Sequence, residues 1–177
     1  MKRKVLIHSC CAHCAAYTVN YWRQQGYETS ALWYNPNIHP YTEHQHRLEA
    51  MQSLAQEIKL PLMIEGYDII NYFRQVVGHE AERCQYCFRL RLSKTAETAQ
   101  RTGFDAFTTT LLISPHQKHE LIREVGNEAA REKGIAFLYA DLRKRYSESR
   151  RMTKPLELYR QQYCGCVYSE WERYANQ

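Results

Sequence analysis

Seven cysteines are the residues of this sequence best suited to chemistry, and they form three tight groups. The first group is Cys10, Cys11 and Cys14, the second is Cys84 and Cys87, and the third is Cys164 and Cys166. A single cysteine is usually a small buried apolar residue. Grouped thiols in a reducing compartment are instead typical of metal or redox chemistry rather than of a disulfide framework. The three groups together therefore predict metal binding.

The number and spacing of the thiols limit which metal centres they could form. The groups lie much farther apart than the roughly 15–20 residues that separate the knuckles of a local zinc site. Seven thiols also exceed the four ligands of one tetrahedral zinc. An iron–sulfur cluster takes about four thiolates, which leaves up to three for a second, single metal. Adjacent side chains do not easily point the same way, so Cys10 and Cys11 could serve the two centres separately.

The elements that must position these thiols alternate between strands and helices along the chain. This alternation favours one α/β domain over residues 1–177, with a mostly parallel sheet flanked by helices on both faces. Strands are predicted at 4–8, 28–34, 62–64, 106–112 and 135–139. Helices are predicted at 12–25, 41–59, 68–77, 87–102, 114–133, 157–161 and 167–175, with an exposed charged segment at 142–154.

Ligands of such sheets gather at the carboxyl ends of the strands. Cys10 and Cys11 directly follow the first predicted strand, and Cys84 and Cys87 lie in a predicted loop that leads into a helix. Both groups therefore lie near helix N-termini, where the helix dipole is expected to stabilise their thiolates. The third group precedes the last predicted helix, and Gly165 lets that turn close tightly.

The first strand also lacks a feature that nucleotide-binding domains need. Residues 9–14 read Ser-Cys-Cys-Ala-His-Cys, and no glycine occurs before Gly26. A phosphate-binding loop after this strand would be rich in glycine. ATP-dependent chemistry is therefore not expected at this position.

The formal net charge of +5 permits a polyanionic partner without requiring one. Six basic residues fall close together near the C-terminal end: Arg143, Lys144, Arg145, Arg150, Arg151 and Lys154. Such a run is usually a solvated loop, but it could also contact the phosphates of a nucleic acid. One or two of the fourteen tyrosines could stack on an unstacked RNA base.

No apolar run approaches the roughly 20 residues that span a bilayer. The basic N-terminus is followed by only Val5-Leu6-Ile7 before His8, which is too short for the apolar region of a secretory signal. We therefore expect a cytoplasmic protein with no membrane partner.

Five motifs, taken in order, resemble one known family and span nearly the whole chain. They are Ile7-His8-Ser9-Cys10-Cys11-Ala12, Tyr34-Asn35-Pro36-Asn37-Ile38, Cys84-Gln85-Tyr86-Cys87, Thr109-Thr110-Leu111-Leu112 with Ser114-Pro115, and Tyr159-Arg160-Gln161 with Tyr163-Cys164-Gly165-Cys166. In this combination the sequence resembles the epoxyqueuosine reductases of the QueH type. No one of these motifs would be specific alone.

The resemblance implies a fold, two metal centres and a reaction. The fold would be that of the adenine-nucleotide α-hydrolases (PP-loop-like), without their nucleotide loop. The centres would be a [4Fe–4S] cluster and an adjacent single iron or other divalent ion. The substrate would be a tRNA that carries epoxyqueuosine at the wobble position, whose epoxide is reduced to the alkene with loss of water. Where the family pattern has an aspartate, this sequence has Cys14.

This reaction takes two electrons and two protons, and it needs an external electron donor but no cobalamin. A side chain must protonate the leaving oxygen, and Tyr34, His8 and Tyr163 are the candidates. Two other functions remain open on sequence alone. The chain could be a cluster-dependent tRNA sulfurtransferase of related fold, although the missing glycine-rich loop counts against ATP use. It could also be a zinc-stabilised RNA-binding module with no catalysis.

Overall fold

Five parallel strands in the order β3-β2-β1-β4-β5 form the sheet at the centre of the molecule. The computed structural model describes residues 2–175. The strands are β1 (Lys4–His8), β2 (Glu28–Trp33), β3 (Leu62–Ile64), β4 (Ala106–Thr109) and β5 (Ala136–Phe137). The helices are α1 (Ala12–Gln24), α2 (Tyr41–Glu57), α3 (Ile69–Val76), α4 (Arg83–Arg101), α5 (His119–Lys133), α6 (Tyr146–Met152) and α7 (Val167–Tyr174).

β1 is the middle strand, and its sequence explains that position. Val5, Leu6 and Ile7 are fully buried, as expected for a strand that is covered by helices on both faces. One apolar cluster packs under α4 and α5, and a second packs under α1 and α2. The predicted α/β class and parallel sheet are therefore confirmed. No helix within residues 2–175 is long and apolar enough to cross a membrane.

Several predicted boundaries are wrong, and local hydrogen bonds explain one of them. The strand predicted over 106–112 ends at Thr109, because the Thr109 hydroxyl accepts a 3.2 Å hydrogen bond from the Leu111 N–H and starts a 3₁₀ turn. The next helix begins at His119 rather than at Ser114. The last strand of the sheet is shortened to Ala136–Phe137.

Two segments have a different structure from the predicted one. The predicted helix over 157–161 does not form, and Glu157 has the left-handed backbone conformation (φ 49°) that ends the preceding 3₁₀ turn. The charged segment 142–154 contains α6 and is not simply an exposed loop. Ser149 of this helix is fully buried, donates a hydrogen bond to the His13 carbonyl and accepts one from the Tyr17 N–H, which fixes α6 against α1.

Candidate active site

The first cysteine group lies where β1 ends and α1 begins. Cys11 is the N-cap of α1, and Cys14 lies in its first turn. A hydrogen bond from Cys14 is the main cause that lowers the pKa of Cys11 to about 7, and the backbone N–H groups of Cys14 and His13 add to it. The Cys11 thiolate is therefore stabilised first by the Cys14 side chain and then by backbone N–H groups in the first turn of α1.

Cys10 behaves differently, because burial dominates its surroundings. Desolvation raises the pKa of Cys10 to about 11, although the nearby positive charge of Arg91 opposes this rise. The Cys10 sulfur lies 3.8 Å from the Thr110 hydroxyl oxygen, in the turn that follows β4. The carboxyl ends of two adjacent strands, β1 and β4, thus meet at this sulfur.

The second group lies within α4 rather than in the predicted loop, because the helix begins at Arg83. Burial raises the pKa of Cys87 to about 12, and the thiolates of Cys164 and Cys166 raise it further. Burial is also the main reason that the pKa of Cys84 is raised. At Cys84 and Cys87 desolvation therefore favours the protonated thiols, which opposes the effect expected of the helix dipole.

Hydrogen bonds to the backbone hold the third group. Arg47 donates from Nη1 to the Cys164 carbonyl at 2.8 Å and from Nη2 to the Tyr163 carbonyl at 3.0 Å. Gly165 has φ 156°, and a Cβ there would lie 3.3 Å from the side chains of Asn37 and Ile38. Glycine is therefore favoured by the positive backbone angle, and the Cβ of any other residue would also press against these two side chains.

The fold brings all seven thiols to the same end of the sheet as two interacting sets. Cys10, Cys11 and Cys14 shift one another's pKa values. The second set is Cys84, Cys87, Cys164 and Cys166, in which the last two residues raise the pKa of the first two. Cys164 also raises the pKa of Cys10, which links the sets. Every one of the seven is a free thiol.

Buried donors without partners indicate what the thiol region could hold. Three buried side-chain atoms near the second set lack a nitrogen or oxygen hydrogen-bond partner in residues 2–175, namely Arg91 Nη2, Tyr72 Oη and Arg83 Nε. The side chains of Tyr72 and Arg83 face the Cys166 sulfur. A buried donor is normally satisfied, and an anionic metal–sulfur group would accept from all three. No three Cys, His, Asp or Glu side chains of this part of the chain already converge on one ion position. The thiols and the buried donors thus have the chemical character that an anionic metal–sulfur group needs. The thiol side chains would have to rotate toward one another to bind it.

A cavity of about 590 Å³ opens onto the first and third cysteine groups. Its wall combines sulfur, hydroxyl, amide and guanidinium groups. The residues of the wall include Cys10, Cys14, Cys164, Arg91, Thr110, Ser114, His116, Gln117, Tyr146, Arg150, Arg160, Tyr163 and Arg173. A polar, positively charged cavity of this size can accept a nucleoside with its flanking phosphates.

The three predicted proton donors do not all reach this cavity. His8 is fully buried, and burial lowers its pKa to about 3, so its ring is neutral and bonded to Thr109 and Asn35. Tyr34 borders a separate cavity of about 450 Å³. Tyr163 lines the large cavity, but its hydroxyl donates to the His39 carbonyl. The structure therefore gives none of the three a free hydroxyl or ring N–H at the thiols.

Tyr146 is a protic residue at the cavity that sequence reasoning missed. Its hydroxyl accepts a 2.9 Å hydrogen bond from Arg150 Nη1, and its ring meets the ring of His116 edge-on at 5.9 Å. Arg91 and Tyr72 were also missed. Arg91 lies four residues after Cys87 on one helix face, and that spacing was the available signal.

The six basic residues divide into paired and unpaired members. Arg143 forms an ion pair with Asp141 at 2.5 Å, and Arg145 forms one with Glu148 at 3.1 Å. Lys144, Arg151 and Lys154 are exposed, and no ion pair joins them to an acidic side chain within residues 2–175. Arg150 lines the cavity.

Comparison with known proteins decides the family. A profile described as "Epoxyqueuosine reductase QueH" matches residues 5–172. The chain belongs to the epoxyqueuosine reductase QueH family. An epoxyqueuosine reductase QueH of Dehalococcoides mccartyi is 53% identical over 99% of this chain and 97% of its own length. One of Thermotoga maritima is 35% identical over 96% of this chain and 91% of its own length. As a member of this family, the chain is an oxidoreductase.

Comparison with a solved structure confirms the fold. It is described as a predicted subunit of tRNA methyltransferase from Methanocaldococcus jannaschii. The two structures superpose with a TM-score of 0.56 at 11% sequence identity, covering 86% of this chain and 76% of the other. At this identity the similarity concerns the fold alone, and it agrees with the predicted α/β class with a parallel sheet flanked by helices.

Proposed function

We propose that this chain reduces the epoxide of epoxyqueuosine in tRNA to the alkene of queuosine. The observation that carries the proposal is that the first and third cysteine groups line one polar, basic cavity, with the second group beside the third, in a member of the QueH family. The reaction breaks both C–O bonds of the epoxide, takes up two electrons and two protons, and releases water. An external electron donor must supply the electrons.

The seven thiols are the proposed metal ligands. Cys84, Cys87, Cys164 and Cys166 form a set of four, which is the number that a [4Fe–4S] cluster takes. Cys10, Cys11 and Cys14 remain for a single iron or other divalent ion. When bound, the cluster supplies single electrons and the divalent ion supplies Lewis acidity toward an oxygen. Seven thiols suffice for both centres, so this scheme needs no cobalamin.

Tyr146 is the side chain that we propose as proton source for the departing oxygen. It lines the same cavity as Cys10 and Cys14. The guanidinium of Arg150 donates to its hydroxyl oxygen at 2.9 Å, which fixes the ring and leaves the phenolic hydrogen free to point elsewhere.

The decisive experiment incubates anaerobically reconstituted, reduced protein with tRNA that contains epoxyqueuosine. The nucleosides are then digested and analysed by mass. We expect loss of one oxygen atom with the wild-type protein and no loss with Cys87→Ala. The proposal would be wrong if protein with full iron and sulfide content left the epoxide intact. Tyr146→Phe should slow the conversion while leaving iron content unchanged.

A further inference from the structure

Arg91 is a cation buried in the core next to the thiols. It is 1% exposed, and its guanidinium turns back along α4 so that Nε donates to the Cys87 carbonyl at 3.3 Å. Its Nη2 atom has no hydrogen-bond partner among the described residues 2–175. No carboxylate within the described residues forms an ion pair with it. Arg91 lines the large cavity together with Cys10 and Cys164.

Tyr72 presents a second unsatisfied donor from another helix. Its side chain is fully buried in α3, in a small cluster that also contains Cys87 and Cys166. Its hydroxyl has no nitrogen or oxygen hydrogen-bond partner in residues 2–175 and faces the Cys166 sulfur. Two donors from separate elements are thus buried beside the same four-cysteine set.

The buried charge of Arg91 and the buried hydroxyl of Tyr72 are both energetically unfavourable when only protonated thiols surround them. A buried charge is usually paired, and a buried hydroxyl is usually bonded. Protonated thiols satisfy neither requirement, because they carry no charge and are weak acceptors. Thiolate and sulfide sulfurs of a metal cluster satisfy both, since they are anionic and accept hydrogen bonds. These residues are therefore arranged for an anionic occupant.

We propose that Arg91 and Tyr72 are the hydrogen-bond donors that set the reduction potential of the metal–thiolate centre. This inference rests on the proposed cluster and assigns these two residues a role toward it. Positive charge and hydrogen bonds at the sulfurs stabilise the more negative, reduced form of a cluster and so raise its potential. Removing either donor should make the centre harder to reduce.

The test compares midpoint potentials of anaerobically reconstituted protein, followed by electron paramagnetic resonance. We expect Tyr72→Phe and Arg91→Met to lower the potential at unchanged iron and sulfide content. The expected shift is at least tenfold in the one-electron equilibrium, or about 59 mV. Arg91→Lys keeps the charge and should recover part of the loss.

Tyr67→Phe is the matched control, because the Tyr67 hydroxyl is already used within the fold. It donates to the Ile38 carbonyl at 2.6 Å. This variant should lower the stability of the metal-free protein toward urea and leave the potential unchanged. Tyr72→Phe should do the reverse, because it removes an unsatisfied hydroxyl from the metal-free fold and a donor from the loaded one.

The outcomes separate this inference from the proposed function. Unchanged potentials in Tyr72→Phe and Arg91→Met would overturn the inference even if the wild-type protein reduced the epoxide. If Arg91→Met does not fold, Tyr72→Phe decides alone. Shifted potentials in a protein that left the epoxide intact would support the inference and contradict the function. Wild-type protein that held no iron and sulfide would overturn both.

Discussion

Arg47 and Cys164 are joined by a 2.8 Å hydrogen bond from the arginine Nη1 to the cysteine carbonyl oxygen, across 117 positions of sequence. The same guanidinium forms a 2.7 Å ion pair with Glu43, and both side chains are almost fully buried. The third cysteine group is therefore attached to α2 through a charged pair that water does not reach.

Replacing Arg47 with Met should strongly destabilise the protein. The change leaves Glu43 buried without its cation and releases two backbone carbonyls. Breaking a buried pair on one side typically costs about 3–5 kcal/mol, and urea unfolding of the metal-free protein measures it. Arg47→Lys keeps the charge and should cost less. Equal stability of wild type and Arg47→Met would contradict this role.

Replacing Arg151 and Lys154 together with Ala should weaken tRNA binding. Both residues are exposed in the basic segment, and each lost phosphate contact should reduce the salt dependence of log K by about 0.7–0.9. Filter binding over a salt series measures this slope. The matched control is Arg143→Ala with Arg145→Ala, because Asp141 and Glu148 already neutralise these charges. If both double variants lose the same slope, the distinction between paired and unpaired residues is wrong.

Replacing Cys14 with Asp should retain much of the activity, whereas Cys14→Ala should lose the single metal and the activity but keep the cluster. The reason is that carboxylate and thiolate are both anionic ligands for a ferrous ion. Metal analysis and turnover of the two variants measure the difference. A mild effect of Ala with a damaging effect of Asp would instead mark Cys14 as buried core, where an unpaired carboxylate is costly.

Stability should fall as the pH drops below about 6.5, and His44 should contribute to the fall. Burial, followed by the charge of Arg47, lowers the pKa of His44 to about 4. Its Nε2 accepts a 2.9 Å hydrogen bond from the Trp33 indole, so the folded ring must be neutral. Below pH 6.5 the unfolded chain binds a proton that the folded chain does not bind until about pH 4.

This histidine should therefore contribute up to about 1.4 kcal/mol per pH unit between those two values. Urea unfolding at a series of pH values measures the slope. His44→Gln should flatten it, and Tyr41→Phe, at an exposed residue of the same helix, should not. Parallel slopes in wild type and His44→Gln would show that this ring does not carry the effect.

Regular patterns in the sequence predicted most helices and strands of the fold. The remaining boundaries depend on local hydrogen bonds that compete with the strand or helix pattern. The apolar run before His8 and the glycines after several helices located the main elements of the parallel sheet. The predicted strand extends past its true end at Thr109, because threonine favours strands but its hydroxyl here caps a turn. The start of α4 was also missed, since Arg83 and Cys84 carry no capping signal of their own.

The candidate site was predictable in its ligands and not in their surroundings. Grouped cysteines are visible in any reading of the sequence. Arg91 and Tyr72 look like ordinary residues of amphipathic helices. Only the packed structure shows that each buries a polar atom with no nitrogen or oxygen partner among residues 2–175. The proton donors depended on where each side chain points, which spacing alone does not reveal.

The segment between the last 3₁₀ turn and α7 is held in place largely by hydrogen bonds to its main-chain groups. Arg47 binds the carbonyls of Tyr163 and Cys164, the His39 N–H donates to the Gly165 carbonyl at 2.8 Å, and His39 Nδ1 accepts from the Val167 N–H at 3.2 Å. These hydrogen bonds do not depend on the side chains of the segment. The Tyr159 and Tyr163 hydroxyls add hydrogen bonds to Glu43 and to the His39 carbonyl. Apart from these two tyrosines, the cysteines and Gly165, the residues of this segment can therefore be exchanged while its path is kept. A library of loop sequences on this unchanged framework could alter which nucleosides the cavity accepts.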